Sequence, residues 1–297
     1  MRQGLGRQKF LWRRRDVWKT PPVKLRAGGL RIVSLLGRSD LTLYLLAVKS
    51  LYRQIGEGDM MILNDGSLRP EDVGRLREHL PALTVLENGE VPTGQCQRGN
   101  CWERLMLILD QSKSHYVVQV DSDTLTLDAI GEVVRCYKEN RAFTLGTRLG
   151  QSIVNVEENA ERIQNSASRH VQVEAERSLP RLQGTLGRKY VRGSAGFAGF
   201  PRGGNSRDTL EEFSVQMGRL LGDRWREWGS EQVASNYIIA NCREAEVLPY
   251  PRYACFGPEM DAQQNAFLHF IGTHRYFGGV YADRAGTVVR ALGHGSQ

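Results

Sequence analysis

Short apolar runs alternate along the chain with stripes of apolar residues at helical spacing. Apolar runs of strand length lie at residues 30–36, 59–63, 83–86, 116–120, 142–145 and 194–200. Stripes with apolar residues three and four positions apart predict helices over residues 41–55, 71–79, 102–109, 127–137, 210–221 and 233–240. Ser39 or Asp40 can cap the first of these helices. This alternation predicts an α/β fold: a single Rossmann-like domain whose mainly parallel sheet has helices on both faces.

The alternation stops at residues 150–192, which are polar, charged and weakly periodic. We interpret this segment as an insertion that carries a surface helix or a mobile excursion, able to close over a site as a lid. The predicted organisation is a basic arm at 1–26, a domain at 27–290 that includes the insertion, and a flexible tail at 291–297.

Composition narrows the class of protein. The chain has 297 residues, of which 40% are hydrophobic and 25% charged, as in soluble globular proteins. No stretch approaches the roughly 20 apolar residues of a membrane span. The five cysteines are widely spaced and form no C-x-x-C pair, so neither a disulfide framework nor a structural zinc site is expected. A reducing cytoplasm fits this pattern.

The net charge of +7 is confined to the arm, where nine Lys or Arg residues face Asp16 alone. A near-neutral body argues against a nucleic-acid partner. Basic residues beside Trp12 and Trp18 suit the surface of an anionic membrane, and we expect a peripheral protein on the inner face of a cell membrane. The alternative is a solvated tail or a strip that packs on the body.

Asp121 and Asp123 come directly after the predicted strand at 116–120. Ligands of open α/β sheets bind at the carboxyl ends of strands, and two carboxylates spaced in this way can converge on one Mg²⁺ or Mn²⁺. Such a cation would neutralise a diphosphate. A D-x-D sequence is also a common turn, so both interpretations remain open at this stage.

Three other segments carry candidate chemistry. Asp65 follows the second strand in an Asn-Asp-Gly-Ser turn and can accept a hydrogen bond from a base or ribose, or form an ordinary turn. His269 can complete a cation's coordination, or it can be a core histidine whose hydrogen bonds are made within the protein. Arg275 can hold a phosphate. Glu231 can act as a general base, or it can simply stabilise the N-terminus of its helix by a favourable interaction with the helix dipole.

The segment 193–199 (Gly-Ser-Ala-Gly-Phe-Ala-Gly) is rich in small residues. Small residues let a ligand approach the backbone, and they also permit close packing within a sheet. Ser194 and Gly196 are therefore candidates for substrate contact, with the sheet-packing interpretation equally open.

In chain order these motifs resemble the GT-A glycosyltransferase superfamily over residues 30–280. Residues 62–67 (Ile-Leu-Asn-Asp-Gly-Ser) are similar to the nucleotide-binding half of bacterial family-A enzymes, and 119–123 to their D-x-D motif. Residues 269–272 (His-Phe-Ile-Gly) are similar to the H-F-x-G stretch of glycogenin-like and lipopolysaccharide-galactosyltransferase-like enzymes. The chain departs from these patterns at Asn64 and Glu231, where related enzymes often carry Asp.

The resemblance implies a role for each candidate residue. It implies that Mn²⁺ or Mg²⁺ is held by Asp121, Asp123 and His269. It implies nucleotide contacts from Ser34, Asp65 and Arg275. It implies substrate contacts from Ser194, Gly196 and Gln232, with Glu231 acting in catalysis.

The predicted function is transfer of a hexose from a nucleoside diphosphate, with UDP favoured, to a hydroxyl of a saccharide, lipid-linked or protein acceptor. One alternative is a sugar-phosphate nucleotidyltransferase. Those enzymes usually have a Gly-rich loop after the first strand, where this chain has only Gly37. The other alternative is a non-enzymatic module that binds a membrane surface through the arm.

Overall fold

The computed structural model describes residues 14–184, 188–204, 206–261 and 263–293, and for residues 14 and 15 it describes the backbone alone. Its strands are β1 (Leu30–Leu36), β2 (Asp59–Asn64), β3 (Thr84–Glu87), β4 (Tyr116–Val120), β5 (Thr124–Thr126), β6 (Phe143–Gly146), β7 (Val154–Asn155), β8 (Lys189–Tyr190), β9 (Gly193–Phe200), β10 (Glu246–Leu248), β11 (Tyr253–Cys255) and β12 (Phe267–His269). Its α-helices are α1 (Leu41–Ile55), α2 (Pro70–His79), α3 (Trp102–Ser112), α4 (Gly131–Lys138), α5 (Val156–Ile163), α6 (Val171–Ser178), α7 (Arg207–Leu221), α8 (Ser230–Ala240) and α9 (Val280–Gly293).

The main sheet has seven strands in the order β10-β6-β9-β4-β1-β2-β3. All neighbours pair in parallel except β9, which is antiparallel to β4 and β6. A second sheet places β12 between β11 and β5, and β12 is antiparallel to β5. The predicted α/β architecture with a mainly parallel central sheet is confirmed.

Helices cover both faces of the main sheet. Neighbouring side chains of a strand point to opposite faces, so Ile32 and Val118 pack in one cluster with α1, α4 and α9. Val33 and Val117 pack in the other cluster with α3, α7 and α8. Strands that are apolar on both faces are typical of a sheet buried in this way.

The first helix shows how local sequence sets an element's end. Gly56 follows α1 at φ +82°, and its N–H donates to the carbonyl of Tyr52 at 2.7 Å. Glycine adopts this left-handed conformation without a steric penalty and so ends the helix. At the other end Asp40 takes the N-cap position, but neither it nor Ser39 caps the helix through its side chain. The predicted side-chain cap was therefore wrong, and the carboxylate of Asp40 lies instead 3.6 Å from the Arg275 guanidinium.

The segment 150–192 contains α5, α6 and the antiparallel pair β7–β8. One side of α6 is buried, with Val171 and Ala175 both fully inaccessible to solvent. Ala175 belongs to the same hydrophobic cluster as α7 and α8. The described part of the predicted insertion thus contributes to the core.

The described part of the arm packs on the body. Residues Arg14–Lys19 form a 3₁₀-helix in which Val17 is buried. The indole N–H of Trp18 donates to Thr42 at 3.1 Å, and the guanidinium of Arg75 lies 3.8 Å above the Trp18 ring. Trp12 lies outside the described residues. At the other terminus α9 extends to Gly293, so residues 291–293 of the predicted tail are helical, and 294–297 lie outside the described ranges.

Candidate active site

Asp121 and Asp123 lie immediately beyond β4, at the carboxyl edge of the parallel strands. The N–H of Asp121 donates to the carbonyl of Gly196 at 2.9 Å. The carbonyl of Asp123 accepts from the N–H of Phe270, also at 2.9 Å. Backbone contacts with β9 and with the segment after β12 therefore fix the turn that carries both carboxylates.

His269 ends β12, opposite Thr124 of β5, and so reaches the same place. Its Nε2 lies 3.1 Å from Oδ1 of Asp123 and 3.9 Å from Oδ2 of Asp121. Within the described ranges these residues form the one group of possible metal-binding side chains, with all ligand atoms within 4.8 Å of one another. The sequence prediction that 121, 123 and 269 converge is matched by this geometry.

The chemistry of this group fits a divalent cation. Two carboxylates and one imidazole offer the oxygen and nitrogen ligands that Mn²⁺ accepts, and Mg²⁺ suits the carboxylates. Nδ1 of His269 lies 3.1 Å from Oγ of Ser194, and that same oxygen accepts from the N–H of Gly196 at 3.3 Å. Because Nδ1 has this partner, Nε2 is the nitrogen that faces the carboxylates, as in metal-binding histidines held by an outer hydrogen bond.

Opposite charges face each other inside the group. Burial lowers the pKa of His269, but the carboxylate of Asp123 raises it more, and the pKa lies well above its usual value. Burial raises the pKa of Asp123, but His269 and Arg275 together hold it below its usual value. The group thus keeps a carboxylate ionised in a site where only 7% of Asp123 is exposed.

The Gly-rich strand β9 makes room for this group. A Cβ atom on Gly196 would overlap the imidazole ring of His269. A Cβ on Gly193 would overlap Thr144, and one on Gly199 would overlap Phe143. These glycines therefore serve close packing, and Gly196 does so at the predicted metal ligand itself. Ser194, predicted to contact substrate, is 2% exposed and bonds to His269.

Arg104, which the sequence did not single out, joins the two acidic parts of the site. Its Nη1 lies 2.5 Å from Oδ1 of Asp121, and its Nη2 lies 3.4 Å from Oε1 of Glu231. Burial lowers the pKa of Arg104, but the carboxylates of Asp121 and Glu231 raise it by more, so the guanidinium stays charged. No signal in the sequence marks it, because a charged residue within an amphipathic helix such as α3 is most often solvated.

Glu231 opens α8 and is 4% exposed. Burial raises the pKa of Glu231 to about 7, although the Arg104 guanidinium opposes the rise. Perturbed carboxyls of this kind cluster at functional sites. Gln232 follows it, with its Oε1 accepting from the N–H of Ala195 at 3.4 Å.

The three residues predicted to contact a nucleotide have different surroundings. Ser34 is fully buried in β1, where its hydroxyl donates to the carbonyl of Val120 at 2.7 Å. Asp65 is exposed, and its Oδ1 accepts from the N–H and hydroxyl of Ser67 at 2.9 and 2.6 Å. Arg275 donates from Nη2 to Oδ2 of Asp123 at 2.9 Å, so it lies at the edge of the candidate metal centre.

The turn that carries Asp65 is held from within the sheet. Asn64 is 4% exposed, and its Oδ1 accepts from the N–H groups of Gly66 and Leu68, both at 3.0 Å. Its Nδ2 donates to Glu87 at 2.8 Å. A Cβ on Gly37 would overlap a carboxylate oxygen of Asp65, so this glycine lets the loop after β1 approach the turn.

No protein-family model matches the chain, and no curated protein matches it. Among solved structures, the chain is similar to the galactosyltransferase LgtC in complex with donor and acceptor sugar analogs, at TM-score 0.53 and 11% identity over 90% of this chain and 98% of that one. It is also similar to the apo structure of the bifunctional glycosyltransferase WbbM, at TM-score 0.52 and 14% identity over 82% of this chain. The chain spans 46% of that WbbM chain.

These likenesses establish that the chain has the GT-A fold, and the resemblance seen in the sequence is confirmed at that level. Among the described residues, no helix has the length and apolar character needed to cross a membrane.

Proposed function

We propose that this GT-A chain is a metal-dependent glycosyltransferase that moves a hexose from a nucleoside diphosphate, UDP in the first instance, to an acceptor hydroxyl. The observation that carries the proposal is the meeting of Asp121, Asp123 and His269 at the carboxyl edge of β4. LgtC, which shares the fold, binds donor and acceptor sugar analogs. That supports a nucleotide-sugar donor and a saccharide, lipid-linked or protein acceptor here.

Each residue has a task in this proposal. Asp121, Asp123 and His269 would hold Mn²⁺ or Mg²⁺, which supplies charge neutralisation for the diphosphate leaving group. Arg275, now paired with Asp123, is within the site and can donate to a phosphate. Asp65, exposed beyond β2, is assigned to the base or ribose, as the resemblance implies.

The buried acid beside this centre serves the transfer. Glu231, whose pKa is about 7, can accept a proton from an acceptor hydroxyl in its ionised form. Arg104 keeps Glu231 and Asp121 at a fixed relation by donating to both. Ser194 and Gly196 lie in β9 and Gln232 lies in α8. We assign all three to the sugar subsite, where Ser194 and Gly196 act by holding His269 in place.

We also propose a cytoplasmic, peripheral location. The support is the excess of Lys and Arg in residues 1–26, which would draw the chain to an anionic lipid surface. Such a surface would bring the enzyme to a lipid-linked acceptor.

Calorimetric titration of UDP tests the proposed function. Binding in the presence of Mn²⁺ should disappear with EDTA, and UDP-sugar turnover should follow the same dependence. The double variant Asp121→Asn, Asp123→Asn should lose both binding and turnover while keeping the circular-dichroism spectrum of the wild type, because amides bind the cation poorly. Metal-independent binding of UDP, or turnover by the double variant, would contradict the assignment.

A further inference from the structure

A buried carboxylate in the segment 150–192 collects a set of hydrogen-bond donors away from the candidate metal centre. Glu176 of α6 is fully inaccessible to solvent. Its Oε2 accepts from Nη1 of Arg192 at 2.8 Å, and its Oε1 accepts from the hydroxyl of Tyr190 and from Nε2 of Gln172, both at 3.0 Å. A buried charge that is paired and hydrogen-bonded in this way holds its donors firmly in place.

The hydrogen bonds continue from this carboxylate to the candidate sugar subsite. Oε1 of Gln172 accepts from Nε2 of Gln232 at 3.2 Å. Oε1 of Gln232 in turn accepts from the backbone N–H of Ala195 in β9 at 3.4 Å. We call Glu176, Gln172 and Gln232 the amide relay.

Both ends of the amide relay set the direction of its bonds. Glu176 accepts from Gln172, Tyr190 and Arg192 at the buried end, and the backbone N–H of Ala195 can only donate at the other end. An ionised carboxylate only accepts hydrogen bonds, so Gln172 must turn its NH₂ group toward Glu176 and its oxygen toward Gln232. Gln232 must then present its NH₂ group to Gln172 and its oxygen to Ala195. The oxygen and the NH₂ group of a glutamine amide have opposite hydrogen-bonding roles. Without Gln172, the Gln232 amide loses the acceptor for its NH₂ group and is held through its oxygen by the 3.4 Å bond from the N–H of Ala195, so its rotamer is less restricted.

We infer that Gln172 and Glu176 are positioning residues, which fix the rotamer of the Gln232 amide for the reacting sugar. This inference rests on the proposed function. It also gives the segment 150–192 a role in the reaction: α6 supports one side of the subsite from within the core. Misplacement of a substrate-orienting group by about 1 Å can lower turnover by about 100-fold. Loss of the amide relay can therefore lower turnover measurably.

A double-variant cycle tests this inference with the full chain, UDP-sugar and Mn²⁺. The variants are Gln172→Met, Gln232→Met and the two combined, with kcat, KM for the donor and the melting temperature measured for each. Gln216→Met is the matched control. Gln216 is also a half-buried glutamine whose amide bonds to the backbone of Gln183 at 2.9 and 3.0 Å, but it lies outside the amide relay.

The expected result is that Gln172→Met lowers kcat by about ten-fold or more. KM for the donor should stay within about two-fold, because the nucleotide is held elsewhere. In the Gln232→Met background the same change should have almost no further effect, and Gln216→Met should leave kcat unchanged. If Gln172→Met loses its cooperative melting transition, Gln172→Asn, which keeps the amide but shortens the side chain, takes its place in the cycle.

Two failures can be told apart. If the wild type turns over donor but the effects of the two substitutions multiply, or Gln216→Met lowers kcat equally, the amide relay is refuted and the proposed function stands. If the wild type turns over no nucleotide sugar and binds no nucleotide with Mn²⁺, the proposed function is refuted and the amide relay falls with it.

Discussion

Individual residues of the candidate site are constrained mostly by their neighbours inside the protein. His269 is oriented by Ser194 and faced by Asp123, and the space for its ring exists because residue 196 has no side chain. The candidate ligand and the glycine are therefore one structural unit. Packing in protein interiors is dense enough that a single added methyl group displaces such a ring.

Gly196→Ala should disrupt the metal centre without unfolding the chain. The added Cβ would overlap the His269 ring and move Nε2 away from the carboxylates, so we expect Mn²⁺ affinity to fall by at least about ten-fold, comparable to loss of an outer-shell contact. Gly74→Ala is the control, since a Cβ there meets nothing within 4 Å and alanine favours the helix by about 0.5–1 kcal/mol. Equal Mn²⁺ affinity in both variants, measured by calorimetry, would contradict this view of Gly196.

Glu231 should make the stability of the metal-free protein depend on pH. Because burial raises its folded-state pKa to about 7, its contribution is fully present below the unfolded pKa and is lost as the pH rises through about 7. At pH 8 the free energy of unfolding of Glu231→Gln, measured in urea, should therefore exceed that of the wild type by on the order of 3 kcal/mol. At pH 4 the two values should be equal. The turnover of this variant should be low at both pH values.

The control for this pH effect is Glu227→Gln. The hydrogen bond from Arg224 lowers the pKa of Glu227, the opposite direction, and this side chain is exposed. It should give no gain at pH 8. An equal gain from both substitutions would show that net charge, and not burial of Glu231, governs the stability.

At the scale of elements, the long strands and helices were predictable and the short ones were not. The strand at 116–120 was placed at its observed bounds because all its residues except Gln119 are apolar. Strands β5 and β12 have three residues each, too few to show a period of two. The pairing that brings His269 to Asp123 was for this reason inferred only from the family resemblance.

Relations between distant elements were also beyond the sequence. Arg104 and Glu231 lie 127 positions apart, and Gln172 and Glu176 sit in a segment whose charged residues predicted only a surface. The burial of these polar and charged side chains depends on which helices pack together, and a local sequence pattern does not predict that. Asp121, Asp123 and Asp65 were found because strand ends are visible in the hydrophobic pattern.

The docked 3₁₀-helix of the arm should contribute to stability. Trp18→Ala removes the bond to Thr42 and the contact with Arg75, and we expect a loss of about 2–4 kcal/mol in urea unfolding, in the range of large-to-small substitutions at partly buried aromatic sites. Trp228→Ala is the control, because 66% of that side chain is exposed. A similar loss for Trp228→Ala would argue against specific docking of Trp18.

At the scale of the whole molecule, charge and chemistry are separated. The candidate site lies at the carboxyl edge of the sheet, whereas the excess positive charge belongs to residues 1–26. Because Trp18 packs against Thr42 and Arg75, the arm's attraction to a lipid surface would have to come from its cations and from residues ahead of the 3₁₀-helix.

Removal of residues 2–13 should weaken binding to vesicles that contain phosphatidylserine. The deletion takes away Arg2, Arg7, Lys9 and Arg13, and each cation near an anionic surface contributes about 1 kcal/mol. We expect at least about a ten-fold weaker association at 0.1 M salt, with unchanged turnover of a soluble acceptor. The full chain should also prefer these vesicles to neutral phosphatidylcholine vesicles. A membrane role for the arm would be refuted if the deletion left binding to phosphatidylserine vesicles unchanged and the full chain bound both kinds of vesicle equally.

The order in which the chain is made adds a consequence of where His269 lies. The ribosome adds His269 146 positions after Asp123, and at 5–20 residues per second that interval lasts about 7–30 s. By the end of this time β1, β2, β3 and β4 have all been made, while Asp123 has had neither His269 nor Arg275 opposite it. The nascent chain thus carries an uncompensated carboxylate at the edge of its first strands, and the candidate cation centre is completed late in synthesis.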